Sequence, residues 1–230
     1  MEDDSELPDG AMDNQLARSR EKLIQRKQEW AAEGRLLTGQ VTSREVDRLP
    51  PGQRLVQTWP VLDLGVHPKI PLEKWRLFVS GLVRQPLRLD WAAFQALPQS
   101  EVTSDIHCVT SWSRYDNRWQ GVLLRDLLAV VAPLPEARHV LLTSYDTYSA
   151  NVPLAEFTDA DVLLATHWQG EPLSVEHGGP LRVIVPKLYF WKSAKWLKRI
   201  DFAADDRPGF WETRGYHNHG DPWTEERYDD

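Results

Sequence analysis

The chain has a single cysteine, Cys108, carried at the end of the apolar stretch SDIHCV and followed by the polar, Trp-containing stretch TSWSRYDNRWQG. A lone cysteine has two readings. As a thiol it is a small buried hydrophobe. As a thiolate at a strand end it is a nucleophile or a soft ligand for a transition metal. Adjacent His107 is poorly placed to activate it, because neighbouring side chains of a strand point to opposite faces. His67, His139 and His167 stand isolated in the sequence and carry no assigned chemistry.

A second group of residues lies in EHGGPLRVIVPKLYFWKSAKWLKRI, residues 176–200. Gly178 and Gly179 allow close backbone approach to a ligand. Arg182 opens an apolar strand, where an unpartnered charge is costly. Lys187, Lys192, Ser193 and Lys195 follow in a basic, aromatic loop. A forked guanidinium beside lysines, a serine and backbone N–H groups makes a phosphate cradle; the plain alternative is a solvated basic loop. Near the C-terminus, GYHNHGDPW holds His217 and His219. Two imidazoles need a third ligand to hold zinc or iron, and none is close in sequence. The aromatic tail around them (Phe210, Trp211, Tyr216, Trp223) reads as packing back over the body, near the mouth of a site.

The elements that must position these groups follow from pattern. WRLFVSGLV (75–83), SDIHCV (104–109), HVLLTSYD (139–146), ADVLLATHW (160–168), LRVIVP (181–186) and LKRIDF (197–202) read as strands. Asp90 is an N-cap for a short helix over 91–97, and GVLLRDLLAVV (121–131) is an amphipathic helix stopped by Pro133. Regular βαβ alternation is absent, which disfavours a dinucleotide-binding domain and favours an α+β fold with mixed β-sheets and few helices. Residues 1–14 read as a disordered acidic end. Residues 15–33 read as a polar helix, loosely packed or partly disordered, with Leu16, Leu23, Ile24 and Trp30 as its apolar face. Irregular chain extends to residue 71. The expected division is an N-terminal segment 1–54 and one domain over 55–230.

Of a net charge of −7, the acidic ends carry most, and residues 15–200 hold 24 bases against 19 acids. A mildly basic body suits an anionic ligand but is too sparse for nucleic acid. A single cysteine excludes an internal disulfide and Cys-rich metal clusters. There is no run long enough for a membrane helix, and the acidic start differs from a secretion signal, so a cytoplasmic location is expected.

Together HCVTSWS, EHGGPLRVIVP and KSAKWLKRI, in that order, resemble the sulfite-oxidase-like molybdopterin oxidoreductases; the resemblance spans about residues 55–202. It implies the sulfite oxidase core fold, a molybdenum–molybdopterin cofactor and Cys108 as the metal-ligating, catalytic residue. Trp112 and Ser113 repeat the CxxxWS pattern of the bacterial methionine-sulfoxide-reductase branch, in which Thr143 would lie against the cofactor. His177 and Arg182 match HGxPxR of the sulfite oxidases, and Ser193 and Lys195 match a loop that grips the pterin phosphate. Leu62 and Asp63, in PVLDLG, match a segment lining the pterin. Trp112 and Tyr145 would shape the substrate pocket.

Where sulfite oxidases place adjacent arginines after the cysteine, this chain has separated Arg114 and Arg118, which points away from sulfite. The implied activity is oxygen-atom transfer on a small sulfoxide- or N-oxide-like substrate. Electrons would be exchanged with a separate protein or diffusible carrier, since no haem or flavin motif is present. The alternatives are a non-catalytic molybdopterin-binding protein and a Cys108-based thiol hydrolase or redox sensor.

Overall fold

Two mixed sheets follow from the strand-forming runs. A computed structural model describes residues 9–32 and 48–229. In chain order the elements are α1 (Asp9–Ala32), β1 (Arg54–Leu55), β2 (Arg76–Gly81), β3 (Leu87–Asp90), α2 (Trp91–Gln95), β4 (Ser100–Cys108), β5 (Trp112–Leu123) and α3 (Leu124–Val131). Then come β6 (His139–Ser144), β7 (Ser149–Pro153), α4 (Leu154–Phe157), β8 (Leu163–Trp168), β9 (Glu171–Pro172), β10 (Arg182–Ile184) and β11 (Leu197–Ala203). One sheet runs β1-β5-β8-β10, with β4 added to β5 and β9 to β8; the other runs β3-β2-β11-β6-β7. Each contains one parallel pair, β1 with β5 and β2 with β11, and is otherwise antiparallel. This is the α+β, mixed-sheet architecture expected from the pattern.

The first sheet is buried on both faces, which is why VLLATHW and LRVIV read as continuous apolar runs. Val122, Leu164 and Val183 face a largely aliphatic cluster with Leu77, Phe94, Leu127, Leu142, Ile200 and Phe202. Their neighbours Leu123, Leu163, Ala165 and Ile184 face a second cluster rich in tryptophan and tyrosine, including Trp59, Trp112, Trp119, Tyr189, Trp191, Trp211 and Tyr216. Asp90 caps α2 as expected, accepting a hydrogen bond from the Ala93 N–H at 2.8 Å.

Three expectations change. The polar stretch after Cys108 is the long strand β5, not a loop. Its backbone pairs with β4 from Cys108↔Trp112 to Ser100↔Gly121, and its polar side chains find partners across the sheet, Asn117 donating to the Ser104 carbonyl at 3.1 Å and Arg114 to the Gln57 carbonyl at 3.0 Å. As a result, the helix expected from 121 begins only at Leu124. The N-terminal helix begins at Asp9, inside the stretch expected to be disordered. This helix is also packed against the body: Ile24 is buried in the aromatic cluster, and the Gln28 side chain donates to the Arg214 carbonyl at 2.7 Å. The expectation for residues 1–8, and for the side chains of Leu16 and Trp30, lies outside what is described. Among the described residues no helix is long and apolar enough to cross a membrane.

Candidate functional site

A cavity opens in the aromatic cluster, and Cys108 lies in its wall. The chain reverses directly after the cysteine: the Ser111 N–H donates to the Cys108 carbonyl at 3.0 Å, and Ser111 takes a positive φ of 67°. Other segments pin this turn. The Gln53 amide donates to the Cys108 carbonyl at 3.1 Å, Arg54 N–H donates to the Ser111 carbonyl at 3.0 Å, and Arg227 donates to the Val109 carbonyl at 2.6 Å. The thiol itself is 3.1 Å from the Thr110 hydroxyl. Burial pushes the Cys108 thiol up, so the protein by itself does not hold a thiolate.

Arg182 and Lys195 line the same cavity. The Arg182 guanidinium is wholly buried, donates to the carbonyls of His177 and Ser193 at 2.8 Å each, and lies over the Phe190 ring at 4.2 Å. No carboxylate pairs with it among the described residues. Burial pulls it down to about 9. Lys195 is likewise lowered to about 7, first by burial and then by Arg182, although Asp63 stands 3.8 Å away. Ser193 turns its hydroxyl to accept from the Val185 N–H at 2.9 Å. Of the loop's other cations, Lys192 faces away into a buried ion pair with Glu212 at 2.6 Å, and Lys187 pairs with Glu156 and Asp159. Of that loop's lysines, Lys195 alone lines the cavity. Gly178 and Gly179 serve the protein rather than a ligand: Gly178, at φ +105°, abuts the Lys195 side chain, and a Cβ on Gly179 would strike the Leu173 carbonyl.

Leu62 and Asp63 form another wall. Burial pushes the Asp63 carboxyl up, but His67 at 2.7 Å, the Gly65 N–H at 2.8 Å and Lys195 hold it below the ordinary range. Trp112 also lines the cavity.

Three expected residues do not line it. Alternation along β6 turns Thr143 away and puts Ser144 into the wall. Tyr145 bonds the backbone of Arg76, its hydroxyl accepting from the N–H at 2.6 Å and donating to the carbonyl at 2.8 Å. His177 stacks on Trp59 with ring centroids 4.0 Å apart and supports Arg182 through its carbonyl. Arg114 and Arg118 lie outside, bonded to the Gln57 carbonyl and to Gln169.

Residues that the sequence reading did not place here include Lys27 from α1, Trp59, Thr110, Asp146, Tyr148 and Trp191; Trp211 and Tyr216 bring the tail into the wall, as its aromatic content suggested. Within the tail, His217 and His219 share Glu226, and no group of metal-binding side chains forms among the described residues. No histidine lines the cavity beside Cys108. His107 faces the opposite side of β4, bonded to Ser113 at 2.8 Å and lowered to about 4, chiefly by burial.

The cavity fits an anionic, multiply hydrogen-bonding cofactor. Trp112 Nε1 and the Ser144 hydroxyl are buried without partners, a cost of about 1–3 kcal/mol each unless a ligand meets them. Both belong to residues of its wall, as does the uncompensated guanidinium. Residues 64–211 match the model of a family described as the oxidoreductase molybdopterin binding domain. The chain belongs to this family. It is 46% identical over 187 residues to the uncharacterized oxidoreductase YuiH of Bacillus subtilis, covering 81% of this chain and 94% of that protein. It is 31% identical to a sulfite oxidase of Arabidopsis thaliana and 32% to the protein-methionine-sulfoxide reductase catalytic subunit MsrP of Gluconobacter oxydans. Those matches cover 65% and 60% of this chain but only 48% and 49% of the relatives, about half their length. The fold is also similar to that of the sulfane dehydrogenase SoxCD from Paracoccus pantotrophus, with a TM-score of 0.55 and 23% identity, over 60% of this chain and 40% of that one. The chain is thus a molybdopterin-dependent oxidoreductase, and its family cofactor is Mo-molybdopterin.

Proposed function

We propose that this oxidoreductase transfers an oxygen atom to or from a small substrate, sulfoxide- or N-oxide-like rather than sulfite, with Cys108 as the molybdenum ligand. The observation that carries the reading is that one cavity joins the pinned Cys108 turn to Arg182, a buried guanidinium whose hydrogen-bond acceptors are backbone carbonyls, with no carboxylate paired to it among the described residues. When bound, the cofactor supplies the two-electron redox chemistry.

The chain's own residues orient and exclude. Arg182 and Lys195 hold the cofactor's phosphate, with Ser193 shaping the loop between them. Leu62, Asp63, Trp112 and Ser144 contact the pterin, while His177 braces Arg182 and Trp59. The Thr110 hydroxyl, 3.1 Å from the Cys108 sulfur, would donate to it once the thiol has lost its proton to a bound metal. The aromatic walls, Trp191, Trp211 and Tyr216 among them, exclude water from the reacting atoms. Preference for a neutral oxide over sulfite rests on Arg114 and Arg118, whose side chains are engaged outside the cavity. Electrons pass to or from a separate protein or diffusible carrier.

The test is molybdenum and pterin analysis of protein made in a host that synthesises the cofactor, beside turnover with an artificial electron donor or acceptor. Wild type should carry near-stoichiometric molybdenum that Cys108→Ser loses. Turnover of sulfoxides or N-oxides should exceed that of sulfite. Protein that binds pterin but turns over none of these would be a carrier of the cofactor instead, and protein without molybdenum would overturn the reading.

A further inference from the structure

The three cations of the cavity wall, Lys27, Arg182 and Lys195, are tied to one another through shared anchors. Arg182 donates to the His177 carbonyl at 2.8 Å, and Lys195 donates to the carbonyl of the preceding residue, Glu176. Lys195 also stands 3.8 Å from the Asp63 carboxylate, while the Lys27 ammonium donates to the backbone carbonyl of that same Asp63. Lys27 thus lies beside Lys195, at the end of the cavity where the reading above puts the cofactor's phosphate. It comes from outside the matched family segment, residues 64–211.

The helix α1 delivers it. Arg20, Ile24, Lys27 and Gln28 share one side of that helix, because residues three and four apart are neighbours on its surface. Ile24 is buried among the aromatic residues, Gln28 donates to the Arg214 carbonyl at 2.7 Å, and Arg20 lies over the Phe210 ring at 5.3 Å. Leu23 reaches Gly65, where a Cβ would come within 2.9 Å of the leucine Cδ1. The helix therefore bridges the segment at Asp63 and the tail, both of which contribute to the cavity wall.

An ammonium has three N–H donors. One of those on Lys27 meets the Asp63 carbonyl, and no carboxylate lies within ion-pair distance of it among the described residues. Like charges held together out of water repel unless an anion lies among them. Burial lowers Lys27 to about 8, and burial followed by the charge of Arg182 lowers Lys195 to about 7.

We propose that Lys27 is a third phosphate-binding residue: with Arg182 and Lys195 it donates to the phosphate of the cofactor, which couples cofactor binding to the docking of α1. This rests on the reading of Arg182 and Lys195 as the phosphate site. The group recognised is a phosphate monoester dianion, which accepts several charge-assisted hydrogen bonds at once.

The test uses the full chain as wild type, Lys27→Gln, Lys27→Arg and Lys22→Gln, the last removing an exposed lysine of the same helix. Calorimetry follows inorganic phosphate binding to the cofactor-free proteins, and pterin fluorescence after gel filtration follows release from the molybdenum-loaded ones. Lys27→Gln should weaken phosphate binding roughly 10- to 100-fold, as loss of a charge-assisted hydrogen bond dictates, and should speed pterin release. Lys27→Arg should recover much of both, and Lys22→Gln should change neither. Amide hydrogen exchange separates binding from mere packing: phosphate should slow exchange in α1 of the wild type but not of Lys27→Gln. If Lys27→Gln loosens α1 yet binds phosphate as the wild type does, Lys27 only fastens the helix and the proposal falls. It falls equally if Lys22→Gln weakens phosphate as much as Lys27→Gln, or if pterin release is unchanged in Lys27→Gln. Wild type that binds phosphate through Lys27 but carries no pterin would overturn the molybdopterin reading while the anion site stands.

Discussion

The two faces of the first sheet are packed by different means. One covers a cluster dominated by valine, leucine and phenylalanine; the other covers tryptophans and tyrosines around a cavity holding buried cations and unpartnered donors. Branched aliphatic side chains fill space closely and ask for no hydrogen bonds. Large flat rings bury much area in a few rigid pieces and leave gaps between their edges. Trp59 illustrates this: it meets Trp119 and Trp168 edge-on at 5.2 and 4.9 Å and stacks on His177. The first cluster is a closed aliphatic core, and the second holds the cavity in which the proposed reading places the cofactor.

Substitutions on either side of the sheet separate these roles. Leu142→Ala, in the aliphatic cluster between Ile200 and Ala150, should cost about 2–5 kcal/mol in urea unfolding. Molybdenum per folded chain should be unchanged. Arg182→Met should do the reverse. Removing a buried charge relieves a desolvation cost, whereas leaving the His177 and Ser193 carbonyls without donors costs about 1–3 kcal/mol, so the net change in unfolding energy should be small. Cofactor retention, measured by dilution and gel filtration, should fall on the order of 100-fold, as loss of strong contacts to a phosphate dictates.

A pH titration probes the same cavity more gently. Lys195 is lowered to about 7 in the cofactor-free chain, so it loses its proton as pH rises through that value. A bound dianion favours the protonated form. Binding therefore takes up a proton, and sulfate affinity should drop by up to about tenfold per pH unit above 7. Calorimetry in buffers of different ionisation enthalpy checks both the sign and the uptake; affinity rising with pH would show that Lys195 does not face the anion. The smallest effect is expected for Thr110→Val. Removing the hydroxyl 3.1 Å from Sγ leaves the thiolate less stabilised, so alkylation of Cys108 in cofactor-free protein should slow severalfold.

Strands with strong apolar periodicity were legible in the sequence, as were Cys108, Arg182, Ser193 and Lys195 through their ordered motifs. What escaped had a non-local cause. The stretch TSWSRYDNRWQG looks like a loop because its polar residues satisfy β4 and the chain after Pro51, partners invisible in a local window. Thr143 and Ser144 are adjacent hydroxyls, and only the register of β6 against β7 and β11 decides which one faces the cavity. Lys27 and Tyr148 belong to segments with no motif, and only tertiary packing brings them in. The tail was readable by composition alone, since so many rings in one stretch need a surface to cover.

Arg227 closes the turn that presents Cys108, reaching across the molecule to the Val109 carbonyl. Without that residue the cysteine-bearing hairpin would lack one of its clasps, and without Trp211 and Tyr216 the cavity would lack two parts of its wall. The segment after β11 thus encloses the cavity that the two sheets leave open.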